Sequence, residues 1–492
     1  MKLFRIRGGV HPEYRKELAS EKAIVAMPLP RLLRVPLQQH VGAPAEPVVA
    51  IGDTVGKGQL IARAQGAVSA PVHAPTSGAV VDIANLTAPH PSGLPQRTIV
   101  IESDGRDAWA ELPPPIEDPL SASPREIARR VGECGIVGLG GATFPAAVKL
   151  DLRSRHELDI LVMNGAECEP YLTCDDRLMR ERAPEIIDGV RIMAHALGVD
   201  RVIIAIESNK PQALESMTRA AAGVANLSVI GIPTRYPMGS ERHLVQALTG
   251  RETPARQLTA DIGVVVHNVG TAHAVHQAVR YGRPLISRVV TVSGHGVCEP
   301  GNVEVPLGTM VSELIAFRGG LTEEAPRLLT GGPMMGQPLP SLDVPVIKGT
   351  SGILALTKEE TRIQPAQACI RCGSCVSACP VGLVPVDMVA LVRKDNLDEA
   401  AAAGVMDCIS CGSCAYICPA HIPLVQYFNY AKGRLNAIQR DEQKRDRVKR
   451  LVEARAARMA KLAEAKRAAM AARKAAAAPP KPDPDSPPAA AQ

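Results

Sequence analysis

Cys369-Ile-Arg-Cys372-Gly-Ser-Cys375-Val-Ser-Ala-Cys379-Pro380 is followed, 39 positions on, by Cys408-Ile-Ser-Cys411-Gly-Ser-Cys414-Ala-Tyr-Ile-Cys418-Pro419. Each half reads C-x2-C-x2-C-x3-C-P. Three cysteines at two-residue intervals converge on one corner of a cubane when the backbone wraps it, and the fourth, next to proline, points to the neighbouring cluster. The spacing therefore predicts two [4Fe-4S] centres with crossed ligands. Cys369, Cys372, Cys375 and Cys418 form one set; Cys408, Cys411, Cys414 and Cys379 form the other. Zinc takes four ligands in a tetrahedron, usually from two separated pairs, and suits eight cysteines in this doubled pattern poorly. Disulfides need an oxidising compartment, and the start of the chain, with Lys2, Arg5 and Arg7, has no apolar run of signal-peptide length.

Between the halves, Val386 to Gly404 is rich in Ala and Leu at helical spacing and predicts two short helices split near Asp395-Asn396. The two-cluster ferredoxin region, 360–430, is thus expected to be helical. A chain with such centres moves single electrons.

At 492 residues the chain exceeds one core, so several domains are expected. Residues 432–474 hold 15 Lys/Arg against 5 Asp/Glu, a surplus of ten within a total of +6, so the rest of the chain is slightly acidic. With aromatics at only 2%, that body has few stacking platforms for nucleic acid. The basic stretch 431–475 is Ala-rich and helix-prone, and the Pro-rich 476–492 is expected to be disordered. No run reaches the ~18 apolar residues that span a bilayer, so a cytoplasmic protein, soluble or peripheral, is expected.

Within an amino-terminal segment and module of 1–112, residues 36–103 alternate apolar and turn residues in short strands with Gly-Asp and Pro-Thr-Ser-Gly turns, and resemble the barrel-sandwich modules of biotinyl and lipoyl proteins. Those carry a cofactor on a hairpin lysine. Here the corresponding stretch is Pro71-Val-His-Ala, without lysine, which favours a docking role with His73 packed. Residues 120–285 alternate helices and strands, with strands at 160–163, 201–206 and 262–266, and predict a parallel sheet. The glycine-rich loop Gly138 to Lys149 precedes them. Thr143 occupies the third glycine position of the dinucleotide fingerprint, so by itself the loop reads equally as a phosphate cradle or a solvated turn. Residues 286–340 read as strand, hairpin, strand and helix, a small β-grasp domain. Cys134, Cys168, Cys174 and Cys298 lack ligand spacing and read as reduced packing thiols. The fold class is therefore multidomain α/β and α+β.

Together these stretches resemble the C subunits of the Rnf (Rsx) ion-translocating electron transport complexes, over roughly residues 1–430. The α/β segment is also similar to the NADH-binding flavoprotein subunit of respiratory complex I, through Gly138 to Lys149, Asn164-Gly-Ala-Glu-Cys-Glu-Pro170, Tyr236-Pro-Met-Gly-Ser-Glu241 and Asn268-Val-Gly-Thr271. The resemblance implies a Rossmann-like FMN/NADH domain and an SLBB-like β-grasp domain. It puts Gly138, Gly140 and Lys149 near the FMN phosphate and ribityl chain, and Asn164 and Glu167 on flavin polar atoms. Phe144 would stack on a nicotinamide or adenine ring, with Glu169 and Glu241 near the dinucleotide. Tyr236, Gly239, Asn268 and Thr271 complete the cofactor-binding set. Ala166 and Ser240 stand where complex I has acids, which removes negative charge beside the flavin. No residue is needed as nucleophile or general base.

The function so implied is electron exchange between NADH and the clusters through FMN, and with ferredoxin through partner subunits. The place implied is the cytoplasmic face of the bacterial inner membrane, beside the other subunits, with no nucleic acid. A soluble flavin/iron–sulfur reductase similar to cobalamin reductase shares the same modules, and an iron–sulfur nucleic-acid-binding protein using the basic tail is the reading from another class.

Overall fold

The computed structural model describes residues 3–323 and 327–478. It divides into two units, Met1–Phe428 and Asn429–Gln492.

At the centre of the first unit, four parallel strands lie in the order Leu227–Ile232, Arg201–Glu207, Ile160–Gly165, Val264–Asn268. Their sequences are almost continuously apolar because helices cover both faces. Ile187, Val190 and Met193 of helix Ala183–Leu197 and Val275 of helix Val269–Tyr281 pack in one core, while Leu244 and Val245 of helix Glu241–Thr249 pack in another. The chain leaves Ile160–Gly165 toward one edge and returns on its other side as Val264–Asn268, where Asn268 pairs with Asn164. Strand order reverses there, and a crevice opens beyond the carboxyl ends of such strands. The third expected strand begins at Val264 rather than Ile262, because residues 259–262 form a short 3-10 turn closed by Gly263 at φ +81°.

The amino-terminal module is two small antiparallel sheets around Leu33, Val35, Ile61, Val72, Ile99 and Ile101. The strand Val72–His73 lies inside it. The buried Lys348 ammonium donates to the oxygens of Pro71 (2.9 Å) and Gly135 (2.7 Å), tying this stretch to the α/β domain. Burial lowers His73 to about 3, so its ring stays neutral.

A six-stranded mixed sheet runs Val25–Ala26, Gly301–Pro306, Ser287–Ser293, Gly352–Leu356, Arg327–Thr330, Gln337–Pro338, with helix Val311–Phe317 in its core. Two of its strands come from outside residues 286–340. Gly352–Leu356 is fully buried, so the sheet closes only when the chain returns after residue 350.

In the cysteine region, helices Pro385–Arg393 and Leu397–Ala402 separate the two halves. The sequence repeat is also a backbone repeat: Arg371 and Ser410 sit at φ +54° and +56°, and Gly373 and Gly412 at +76° and +84°. Left-handed residues let the chain wrap around its cysteines.

Helix Leu424–Ala476 lies in the second unit from Asn429 on and is exposed along 441–476. The expected disorder of 476–492 falls, from 479 on, outside the described residues. Among those described, no helix is long and apolar enough to cross a membrane.

Candidate functional site

The cysteines gather in two groups. Cys369, Cys372, Cys375 and Cys418 line one small pocket with Val386, Val389 and Ile422. Cys379 groups with the other half. The Cys414 thiol is pushed up to about 12, first by burial and then by the nearby thiols of Cys411, Cys408 and Cys379. Backbone N–H groups point at sulfur in both halves: Arg371 to Cys369 Sγ at 3.4 Å, Ser410 to Cys408 Sγ at 3.4 Å and Leu383 to Cys379 Sγ at 3.3 Å. Four sulfurs per group with N–H donors around them fit a thiolate-ligated cluster, whose negative charge such dipoles offset.

The two groups differ in surroundings. Cys379, Cys411 and Cys414 are buried, whereas Cys369 and Cys372 are exposed. The buried group rests on the α/β domain. Tyr236 Oη donates to the Cys411 oxygen at 2.6 Å, and His243 Nε2 meets the Pro380 oxygen at 2.9 Å. The amino-terminal arm is wedged beside them: Gly9 N donates to Ala378 O at 2.9 Å, and a Cβ on Gly8 would collide with Cys379 O.

At the sheet's switch point, the glycine-rich loop lies against Asn268. A Cβ on Gly140 would stand 3.3 Å from that of Asn268, while Gly141, at φ +101°, faces open space. Leu139 N donates to the buried Thr271 hydroxyl at 3.0 Å, and Gly138 N to Phe144 O at 2.8 Å. Asn268 caps helix Val269–Tyr281 through Gly270 N and donates to Asp175 at 2.6 Å. Lys149 Nζ lies 3.0 Å from Val266 O and 3.1 Å from Glu241 Oε2. The other Glu241 oxygen accepts from Thr259 at 2.5 Å. Asn164 Nδ2 donates to Gly239 O at 2.8 Å, and a Cβ on Gly239 would stand 3.0 Å from Cys168 Sγ. A glycine cradle, a helix N-terminus and a lysine suit a phosphate. Gly141 faces open space beside this cradle, so the residues present fit the phosphate end of FMN.

Three expected contacts look elsewhere. Both Glu169 oxygens accept backbone N–H groups, from Met334 (3.0 Å) and Met335 (2.8 Å), and burial pushes its carboxyl up to about 7. Glu167 caps helix Cys174–Glu181, accepting from Asp175 N at 2.7 Å and Asp176 N at 3.3 Å. Tyr236 turns its hydroxyl to the cysteine region. The Met334 and Cys411 partners, far along the chain, carry no signature in the local motif, whereas those of Glu167 lie eight and nine residues on.

Two lysines join the site from outside the motifs. Lys210 Nζ donates to Ala166 O at 2.7 Å and pairs with Glu207 at 3.2 Å. Lys16 Nζ donates to the oxygens of Glu167 (2.8 Å), Glu169 (3.0 Å) and Leu172 (2.5 Å). Burial lowers Lys16 from its ordinary value. The 166–172 turn thus aims its carbonyls at two ammonium groups. Lys210, directly after a buried strand and before Pro211, offered a weak cue; Lys16, in a polar arm, offered none.

A cavity of about 680 Å³ opens where the amino-terminal, α/β and β-grasp domains meet, between Lys57, Trp109, Leu139, Arg182 and Arg288. It touches the expected site only through the glycine-rich loop and the Asn268 helix.

Family models match in sequence along the chain. Residues 4–106 match the RnfC barrel sandwich hybrid domain, 131–277 the Nuo51 FMN-binding domain, 289–338 the SLBB domain and 362–419 a 4Fe-4S dicluster domain. The C subunit of the ion-translocating oxidoreductase complex of Rhodobacter capsulatus is 60% identical, the match covering 89% of this chain and 84% of that one. The C subunit of the proton-translocating ferredoxin:NAD(+) oxidoreductase complex of Clostridium ljungdahlii is 47% identical, over 87% and 93%. The C subunit of the ion-translocating oxidoreductase complex of Pseudomonas aeruginosa is 46% identical, over 92% and 59%. Paired cysteine groups, a glycine cradle at a sheet switch point and these relatives converge: the chain belongs to the RnfC family of C subunits of ion-translocating oxidoreductase complexes, as an oxidoreductase subunit with FMN-binding and iron–sulfur domains.

Proposed function

We propose that this chain is the NADH-facing subunit of its complex, holding one FMN and two [4Fe-4S] clusters and exchanging electrons with ferredoxin through partner subunits at the cytoplasmic membrane face. The observation that carries this reading is the asymmetry of the cysteines: one group is packed against the α/β domain, and the other has Cys369 and Cys372 exposed. FMN supplies the change from two-electron hydride chemistry to the one-electron chemistry of clusters.

The residues divide the work. Gly138, Gly140, Thr271 and the N-terminus of helix Val269–Tyr281 would hold the FMN phosphate with Lys149. Asn164, Gly239 and Asn268 would line the ring. Phe144 and Glu241 would face the dinucleotide. Cys379, Cys408, Cys411 and Cys414 would hold the cluster nearer the flavin. Cys369, Cys372, Cys375 and Cys418 would hold the outer cluster, beside the exposed Ile370, where a partner would dock. The domains follow as 1–112, 120–285, 286–340 with its sheet completed by Val25–Ala26 and Gly352–Leu356, and 360–430, with the basic helix 431–475 after them.

Rapid mixing of the loaded chain with NADH, followed by freeze-quench EPR, tests the order. The expected result is flavin bleaching first, then the signal sensitive to Cys411, then the signal sensitive to Cys369. Appearance of the Cys369-dependent signal first would refute it.

A further inference from the structure

Tyr236 is fully buried, and its side chain does not end at the crevice. Its hydroxyl donates to the main-chain oxygen of Cys411 at 2.6 Å, across 175 residues of sequence. Its backbone pairs with Val10 on one side, and the chain reaches Gly239 three residues later, where Asn164 donates to the Gly239 oxygen. Val10, Cys168, Ala378 and Cys411 surround it in an apolar cluster with Met334 and Ile409. A phenol hydroxyl is a hydrogen-bond donor throughout the physiological range.

We propose that Tyr236 is a positioning residue for the buried cluster rather than a flavin contact: its hydroxyl hydrogen bond to Cys411 fixes the crevice loop to the cluster loop and raises that cluster's reduction potential. The inference rests on the assignment of Cys411 as a cluster ligand. An O–H dipole whose positive end faces a ligand's carbonyl, in a dry patch, favours the electron-rich reduced cluster. The outer group sits differently: Cys372, the counterpart of Cys411 in the repeat, is exposed. The Tyr236 hydrogen bond is thus one of the features by which two groups of identical ligand spacing differ.

The test is Tyr236→Phe in the full chain, reconstituted with iron, sulfide and FMN, and read by EPR-monitored redox titration. Iron and flavin content should match the unsubstituted chain, and one cluster alone should move to more negative potential. The expected size is about three- to tenfold in the one-electron equilibrium, up to ~59 mV. Placing 3-fluorotyrosine at position 236, a stronger donor of nearly the same shape, should move the same cluster the other way, and decides the matter should the Phe variant not load its cluster. Unchanged cluster potentials, or a shift confined to the flavin, would overturn the proposal. The iron count of the unsubstituted chain separately decides the cluster assignment on which it rests.

Discussion

Lys149 and Glu241, 92 residues apart, meet at 3.1 Å beside the end of strand Val264–Asn268. The pair is partly exposed, with side-chain accessibilities of 27% and 41%, so its own contribution to folding is small, at most about 1 kcal/mol. A charged hydrogen bond to a phosphate is stronger, at roughly 1.5–3 kcal/mol. Lys149→Ala is therefore expected to leave thermal stability nearly unchanged while lowering FMN affinity by about 10- to 150-fold. Fluorescence titration of the flavin-free chain measures it, and unchanged affinity would make the glycine-rich loop a turn and nothing more.

Glu241→Gln keeps the Thr259 partner but discharges the group facing Lys149. NADH-dependent flavin reduction should slow more than reduction by dithionite, since only the first needs the dinucleotide. Stopped-flow traces of both reductants make the comparison; equal slowing would give Glu241 a structural role.

Cys379→Ser should damage the cluster of Cys408, Cys411 and Cys414 and spare the group nearer to it in sequence. The thiol of Cys379 lies among those that raise Cys414. EPR of the dithionite-reduced variant reads the outcome, and loss of the other signal would contradict crossed ligation.

Glu169 titrates near 7 because burial outweighs the two N–H groups it accepts. A carboxyl that holds its proton more tightly when folded than when unfolded makes the folded state lose stability as pH rises from the ordinary Glu value to 7. The loss is on the order of 2–3 kcal/mol across that window. Thermal midpoints between pH 5.5 and 7.5 should fall with pH in the native chain and stay flatter in Glu169→Gln. Parallel profiles would show that burial does not raise this carboxyl in the folded chain.

What was legible in the sequence was what is local in the chain. The grouping of the cysteines was legible as a spacing pattern, and the two helices between the halves as periodicity, because ligand geometry and helix pitch act over a few residues. The switch-point crevice was legible as four short motifs on an alternating frame. The partners of Glu169, Tyr236 and Lys16, and the Ala166 oxygen that Lys210 meets, were not, since each is fixed by contact with a distant segment. The six-stranded sheet shows the same limit. Its strand Gly352–Leu356 pairs in parallel with Ser287–Ser293, which no turn signal announces.

In the second unit the sequence carries a surplus of ten positive charges over residues 432–474, on a helix whose residues 441–476 are exposed. Leu451, Met459, Leu462 and Met470 are too sparse for insertion into lipid. Attraction to an anionic surface, on the order of 1 kcal/mol per basic residue at contact, is the larger effect. Truncation after Tyr430 should keep NADH-to-ferricyanide activity while lowering retention on membranes at low salt. Equal retention of both chains at every salt concentration would assign docking to the folded body.

The most direct measurement is an anaerobic NADH titration of the fully loaded chain with iron and flavin counted on the same sample. The expected result is eight irons and one noncovalent FMN per chain, with flavin bleaching on addition of NADH. Four irons or fewer after full reconstitution, or a flavin that NADH leaves oxidised, would contradict the two-cluster, NADH-facing reading.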